Sequence, residues 1–228
     1  MLFFDPTYFL VILGIIISLI ASLNVNRTYN KYRQIQSIRR VTASEVSKQI
    51  LERAGIHDVK VEMTAGTLTD HYNPRGKVVR LSEGVYDSTS VAAIGIAAHE
   101  CGHVIQHYRS YWPVKFRNLI VPIANIGSMF SWPIIFFGVI FGIGNLVSIG
   151  IILFFAVLIF QLVTLPVEFN ASNRALRILR ENGILVAEEC NIAGKVLRAA
   201  AMTYVAGAIT TALQLFRLLL LFGRRSDK

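Results

Sequence analysis

The sequence predicts a mainly α-helical integral membrane protein with three to four transmembrane helices and a small α+β domain outside the apolar layer. Three observations predict it. Of the 228 residues 54% are hydrophobic and the mean hydropathy is +0.52, too apolar for an ordinary water-soluble domain. Uncharged stretches long enough to cross a bilayer occupy residues 6–26 and 118–167. Between them lies a more polar segment holding His99-Glu100-Cys101-Gly102-His103, an HExxH pattern.

Residues 6–26 form the N-terminal anchor. Phe, Leu, Ile, Val and Ala fill most of it, and Asp5 is the charged residue before it. No Lys or Arg precedes it and no small-residue cleavage site follows, so an uncleaved anchor is expected, not a signal peptide. A basic flank comes next, with Arg27, Lys31, Arg33, Arg39 and Arg40, suited to anionic lipid headgroups. Residues 44–51 have helical spacing and end near Gly55. Residues 59–63 and 77–81 read as short strands joined by a turn at Asn73-Pro74-Arg75-Gly76. Asp87 or Ser88 is placed to cap the helix that carries His99 and His103. Its first eight residues, 91–98, are small and apolar but too few to span a membrane, so it is expected to be buried in the polar domain.

Residues 118–167 contain no charge in 50 positions, enough for a hairpin of two crossings hinged at Gly142-Ile143-Gly144-Asn145. Tyr111, Trp112 and Trp132 suit interfacial or packing positions, with Pro113 at the entry. After Pro166 the pattern turns amphipathic and predicts one helix to about Gly183 and a second over 186–198. Residues 199–222 form a fourth apolar segment, weakened by Gln214 and Arg217. The expected organisation is an anchor (1–26), a part with the HExxH helix (27–117), the hairpin (118–167), helices with a further metal ligand (168–198), and a fourth apolar segment with a basic tail (199–228).

The net charge is +9. No run of Lys and Arg interleaved with aromatics points to nucleic acid, so that partner is set aside. The bilayer is the partner that the charge suits. Basic residues gather in 27–60, 109–117 and 174–198, which share one side if the first three segments cross, and the positive-inside tendency makes that side the cytoplasm. Arg224, Arg225 and Lys228 conflict with this if the fourth segment crosses; it is then re-entrant or interfacial. Cys101 and Cys190 are expected to be free thiols in a reducing compartment.

Two histidines four residues apart on a helix share a face, so His99 and His103 can reach one ion while Glu100 reaches a water on it. A catalytic zinc needs a third ligand and an open position. His107 lies one turn on, roughly 6 Å beyond His103, too far to complete the set. The alternative histidine position is Arg109. Glu168 is the sole acidic residue between Glu100 and Glu181, and after Pro166 it is expected to open a helix, where the dipole favours a carboxylate. The hairpin returns the chain to the HExxH side. The expected zinc site is therefore His99, His103 and Glu168, with Glu100 as general base.

This order resembles the integral-membrane zinc peptidases of the gluzincin group, such as CaaX prenyl proteases and bacterial stress-response membrane proteases, which have the same order. More closely, Asp70-His71-Tyr72-Asn73-Pro74, Arg80-Leu81-Ser82-Glu83-Gly84-Val85-Tyr86, His99–His103 with Gln106-His107, and Leu165-Pro166-Val167-Glu168-Phe169-Asn170-Ala171-Ser172 resemble the YugP-type bacterial membrane neutral zinc metallopeptidases. The resemblance runs through nearly the whole chain and implies a zincin-like domain, zinc and a multi-pass protein of the bacterial plasma membrane. One departure stands out. The larger group commonly places Asp four residues after the ligand Glu, to buttress a zinc histidine; here Ser172 stands there, with Asn173 beside it, and either can accept a weaker hydrogen bond. Asn170 and His71 are candidate oxyanion stabilisers.

The expected function is zinc-dependent hydrolysis of peptide bonds in membrane-proximal proteins or peptides, with Glu100 moving the proton. Strand 77–81 could pair with an extended substrate or simply brace the helix. The alternative is a zinc-stabilised pseudo-protease acting as scaffold or chaperone. A channel is disfavoured, because the first three segments hold no charged residue to line a pathway.

Overall fold

A computed structural model of the protein describes residues 5–223. The tail residues Arg224, Arg225 and Lys228, and with them the topological conflict they raise, lie outside the described part. Chain order is α1 (Tyr8–Tyr32), α2 (Ala43–Arg53), β1 (Lys60–Thr64), β2 (His71–Asn73), β3 (Val78–Ser82), α3 (Glu83–Tyr86), α4 (Val91–Tyr108), α5 (Trp112–Ile140), α6 (Gly144–Glu181) and α7 (Ala187–Phe222). Four of these, α1, α5, α6 and α7, are long and apolar enough to cross a membrane. The protein is therefore a mainly helical, multi-pass membrane protein with a small mixed α and β part. Its residues divide into two compact units, one of residues 5–22, 112–166 and 202–223, the other of 23–111 and 167–201.

The apolar unit turns its large side chains outward: Met129, Phe136 and Ile152 are all exposed, as surfaces solvated by lipid tails require. Its helices approach through small residues. A Cβ on Gly127 of α5 would stand 2.6 Å from the Leu153 carbonyl oxygen of α6, so this crossing tolerates no side chain. Thr210 of α7 donates to the Gly14 carbonyl at 3.0 Å and accepts from Ser18 at 2.9 Å, joining α7 to α1. Arg217 is held by Asp5 at 3.4 Å and lies over the Tyr8 ring at 4.4 Å.

The polar unit is built on a conventional core. Val46 and Ile50 of α2, Val79 and Leu81 of β3, Ile94, Ala97 and Val104 of α4, Leu179 of α6 and Leu197 of α7 are buried together. The sheet order is β1-β3-β2, with β1 parallel and β2 antiparallel to β3. Thr42 and Glu45 form a reciprocal capping box on α2. Cys101 and Cys190 are free and buried.

Several local expectations need correction. Two strands joined by one turn become three: the turn at 73–76 connects β2 to β3, and β1 reaches β3 by a parallel crossover. β3 is thus the central strand, paired on both edges, and has no edge left for a substrate. The α4 cap is Ser90, whose hydroxyl accepts from Ala93 N at 3.2 Å, not Asp87 or Ser88. A bridge between Gln36 and Ser90 keeps the chain extended up to the helix. Pro166 opens no helix, because α6 runs through it from Gly144 to Glu181. In an apolar setting a proline removes one backbone bond without halting a long helix, and α5 contains two more, Pro122 and Pro133. Glu168 is therefore mid-helix, and the dipole argument for its charge does not apply. The expected break near 198 is also absent: Ala199, Ala200 and Ala201 are strong helix formers, and α7 continues through them.

Candidate metal centre

The helical repeat of α4 sets His99 and His103 on one face, their rings edge to face with centroids 4.7 Å apart. Their Nε2 atoms are 3.1 Å from each other. From α6, Glu168 brings Oε2 to 3.3 Å from His99 Nε2 and 3.6 Å from His103 Nε2. These three side chains form a cluster able to hold a metal ion. A tetrahedral zinc with bonds of about 2.0–2.1 Å keeps its ligand atoms about 3.3 Å apart, which is the size of the observed triangle. Two imidazole nitrogens and a carboxylate oxygen are also a donor set that zinc accepts. The residues present fit zinc.

The close approach of α6 has a local cause. A Cβ on Gly102 would meet the Ala171 carbonyl oxygen at 2.7 Å. Glycine between the two histidines lets the α6 backbone lie against α4, and Glu168 reaches the imidazoles across that contact.

Buried hydrogen bonds orient the rings. Gln106, with no exposed surface, donates through Nε2 to the Val167 carbonyl at 2.9 Å and to Asn170 Oδ1 at 3.0 Å. A carbonyl can only accept, so the amide's oxygen must be the end that faces His103. That oxygen is 3.0 Å from His103 Nδ1, which therefore carries hydrogen and leaves Nε2 to face Glu168. His99 Nδ1 is 3.0 Å from Ser172 Oγ. Ser172, at the position where Asp was missed, supports the first histidine; Asn173 does not enter.

The electrostatics favour a cation. Burial works against a charged His103, but the Glu168 hydrogen bond and the Glu100 and Glu168 charges outweigh it and raise its proton affinity. The same field that attracts a proton attracts a metal ion, and the two compete for the ring.

Glu100, adjacent to His99, is buried and is not one of the three clustered ligand groups. His107 is exposed and lies outside the cluster, 3.4 Å from the Tyr72 hydroxyl. Asp70 accepts from Ser82 N at 2.8 Å and fixes the start of β2 against β3; burial raises its carboxyl above the usual range. His71 is exposed and its Nδ1 is 2.8 Å from the Thr69 carbonyl. Asn170 has its oxygen engaged by Gln106 and, at 2.7 Å, by Arg174 Nε. Sequence reasoning assigned no role to Gln106; its one local sign is the i,i+3 spacing from His103.

Comparison with known proteins gives the same direction. The family model described as "Putative neutral zinc metallopeptidase" matches residues 7–223. A curated relative from Bacillus subtilis (strain 168), "Putative membrane protease YugP", is 44% identical over 221 residues, covering 96% of this chain and 98% of its own. No solved structure matches the chain.

Proposed function

The chain belongs to this neutral zinc metallopeptidase family, and from that premise we propose that it is a membrane-bound zinc endopeptidase with His99, His103 and Glu168 as ligands and Glu100 as general base. The observation that carries the reading is the convergence of the two Nε2 atoms and the Glu168 oxygen within 3.6 Å. Three electron-pair donors so close together repel one another unless a metal ion or a proton is shared among them.

When bound, zinc supplies Lewis acidity to an attacking water and to the scissile carbonyl. Everything else falls to the chain. Gln106 and Ser172 fix the imidazole rings through their outer nitrogens, as partners of metal histidines do. Glu100, held on the same turn as His99, takes the proton of the attacking water and returns it to the departing amine. With β3 paired on both sides the open sheet edges are those of β1 and β2, and the β2 edge is the one we assign to an extended peptide. Tyr72 on that strand touches His107, which ties the edge to α4. The three basic blocks argue for an active site facing the cytoplasm, and its substrates are membrane-proximal proteins or peptides.

The experiment measures zinc content and cleavage of casein, or self-cleavage, in detergent-purified protein beside Glu100→Gln and Glu168→Ala. About one zinc per chain, with cleavage abolished in Glu100→Gln and zinc lost in Glu168→Ala, is the expected result. Zinc bound with cleavage indifferent to Glu100→Gln overturns the peptidase in favour of a scaffold. No zinc overturns both.

A further inference from the structure

The C-terminal ends of α2, α4 and α6 form an open pocket of about 260 Å³ lined by the exposed Arg53, Arg109 and Arg177 and by Arg174, with Glu181 and Asn182. Among the described residues none of the four arginines has a carboxylate within ion-pair distance. Arg174 is half-buried, stacks over the Tyr111 ring at 5.6 Å and gives its Nε to Asn170. Guanidinium groups gathered without anions repel, and a half-buried one is deprived of part of its hydration as well. Arg53 and Arg109 stand at helix C-termini, where a single cation is ordinary. Arg174 and Arg177 stand just before the last turn of α6, where the dipole's effect has fallen off, and have no such explanation.

The charge balance suggests what the cavity takes. Against the four arginines stand Glu181 and the C-termini of α2, α4 and α6, each end about half an elementary negative charge, which leaves an excess of about 1.5 positive charges. A phosphate group carries about −1.5 to −2 at neutral pH, and arginine's planar fork matches its oxygens in pairs. The volume is below that of pockets for drug-sized ligands, about 300–1,000 Å³, and suits a group of headgroup size.

Arg174 also connects the cavity to the metal centre. Its Nε and the Gln106 amide share the Asn170 oxygen, and Gln106 holds His103. An anion that draws the Arg174 guanidinium changes its grip on Asn170, and so the Gln106 contact that orients a metal-facing ring. We propose that the arginine cavity binds a phosphate-type anion and that Arg174, Asn170 and Gln106 couple its occupancy to the affinity of the metal centre. The anion site stands apart from the peptidase reading; the coupling rests on it.

The test uses the full chain in nanodiscs of phosphatidylcholine, with inorganic phosphate titrated by calorimetry against chloride of equal ionic strength. A second arm replaces part of the lipid by phosphatidylglycerol and follows lipid-dependent thermal stabilisation. Saturable phosphate binding, weakened at least tenfold in Arg109→Gln/Arg177→Gln, supports a soluble ligand. Stabilisation by phosphatidylglycerol alone, lost in the same variant, supports a lipid phosphate. No difference between variant and wild type in either arm overturns the site. Zinc content equal to wild type shows that the variant is folded. For the coupling, zinc affinity is measured by chelator competition with and without the effective anion, where a shift of about fivefold or more is expected and is abolished by Asn170→Ala. Anion binding with an unmoved zinc affinity overturns the coupling alone. Anion binding to a protein that holds no zinc overturns the coupling together with the peptidase reading.

Discussion

The apolar and polar units of this protein use the same elements, long helices and a few glycines, for opposite purposes. In the apolar unit many large side chains face outward, and helices meet through small residues such as Gly127, through single polar ties such as Thr210 to Gly14 and through one small cluster around Phe154 and Leu218. In the polar unit the apolar side chains face inward, and Ser172, Gln106 and Asn170 hydrogen-bond to the two histidines or to each other. A lipid-solvated surface gains nothing from clustering leucines, so close backbone contact must hold it together. Metal chemistry needs ring nitrogens aimed within a fraction of an ångström, and only a satisfied hydrogen-bond network inside a packed core provides that. The comparison predicts that damage in the two units separates into different measurements.

The largest effect is expected at the metal-facing carboxylate. Glu168→Ala removes one corner of the triangle and leaves two partly buried imidazoles facing each other. Zinc affinity should fall by more than the 10–100-fold typical of an outer hydrogen-bond partner, read by chelator competition, while helicity by circular dichroism stays near wild type. Retention of zinc with unchanged affinity would place the ligand elsewhere.

Next come the two glycine crossings, which set the units against each other directly. Gly102→Ala forces a methyl group against the Ala171 carbonyl, and Gly127→Ala forces one against Leu153. Overpacking of either kind costs about 1–3 kcal/mol. Only Gly102→Ala should also weaken zinc binding, because only that crossing carries Glu168 to the histidines. Equal loss of zinc affinity in both variants would mean that the units are not separable in this way.

An intermediate effect is expected at the ring supports. Gln106→Leu should weaken zinc about 10–100-fold through His103. Ser172→Ala should do less, since a hydroxyl supports His99 more weakly than a carboxylate. Ser172→Asp, which restores the carboxylate of the wider gluzincin pattern, should tighten zinc binding above wild type. Titration of the three variants with one chelator series ranks them.

The legibility of the sequence divides along the same line. That His99 and His103 share a helix face could be read because a helix places neighbours by local spacing alone. The approach of Glu168 to them could be read because it is the lone acid in 80 residues, but its place in the helix could not: a proline inside an apolar helix looks like a helix start in sequence. The hairpin over 118–167 needed only composition. β2 could not be read, since three residues have no period of their own and exist as a strand only by pairing with β3. Gln106 could not be assigned a role, because what makes it a ring support lies 61 and 64 residues away at Val167 and Asn170. The arginine cavity is hidden for the same reason: Arg53, Arg109 and Arg174 come from three helices. Local chemistry was visible, and its supports were not.

The smallest effect concerns Cys101, which sits inside the HExxH motif and yet belongs to the core. It has no exposed surface, its Sγ donates weakly to the Ser47 carbonyl at 3.7 Å, and burial pushes the thiol up to about 12. At neutral pH it is therefore neither thiolate nor accessible, and it should resist alkylation in the folded protein and react only when the polar unit opens. Cys101→Ala should leave zinc affinity within about twofold and cost only the packing of one sulfur, on the order of 1–2 kcal/mol. Iodoacetamide labelling with mass spectrometry, with and without denaturant, reads the first claim, and chelator competition reads the second. Rapid labelling of Cys101 in folded, zinc-loaded protein would show that the helix face opposite the histidines is open, and the contrast between a dry core and a lipid-facing surface would then fail at the motif itself.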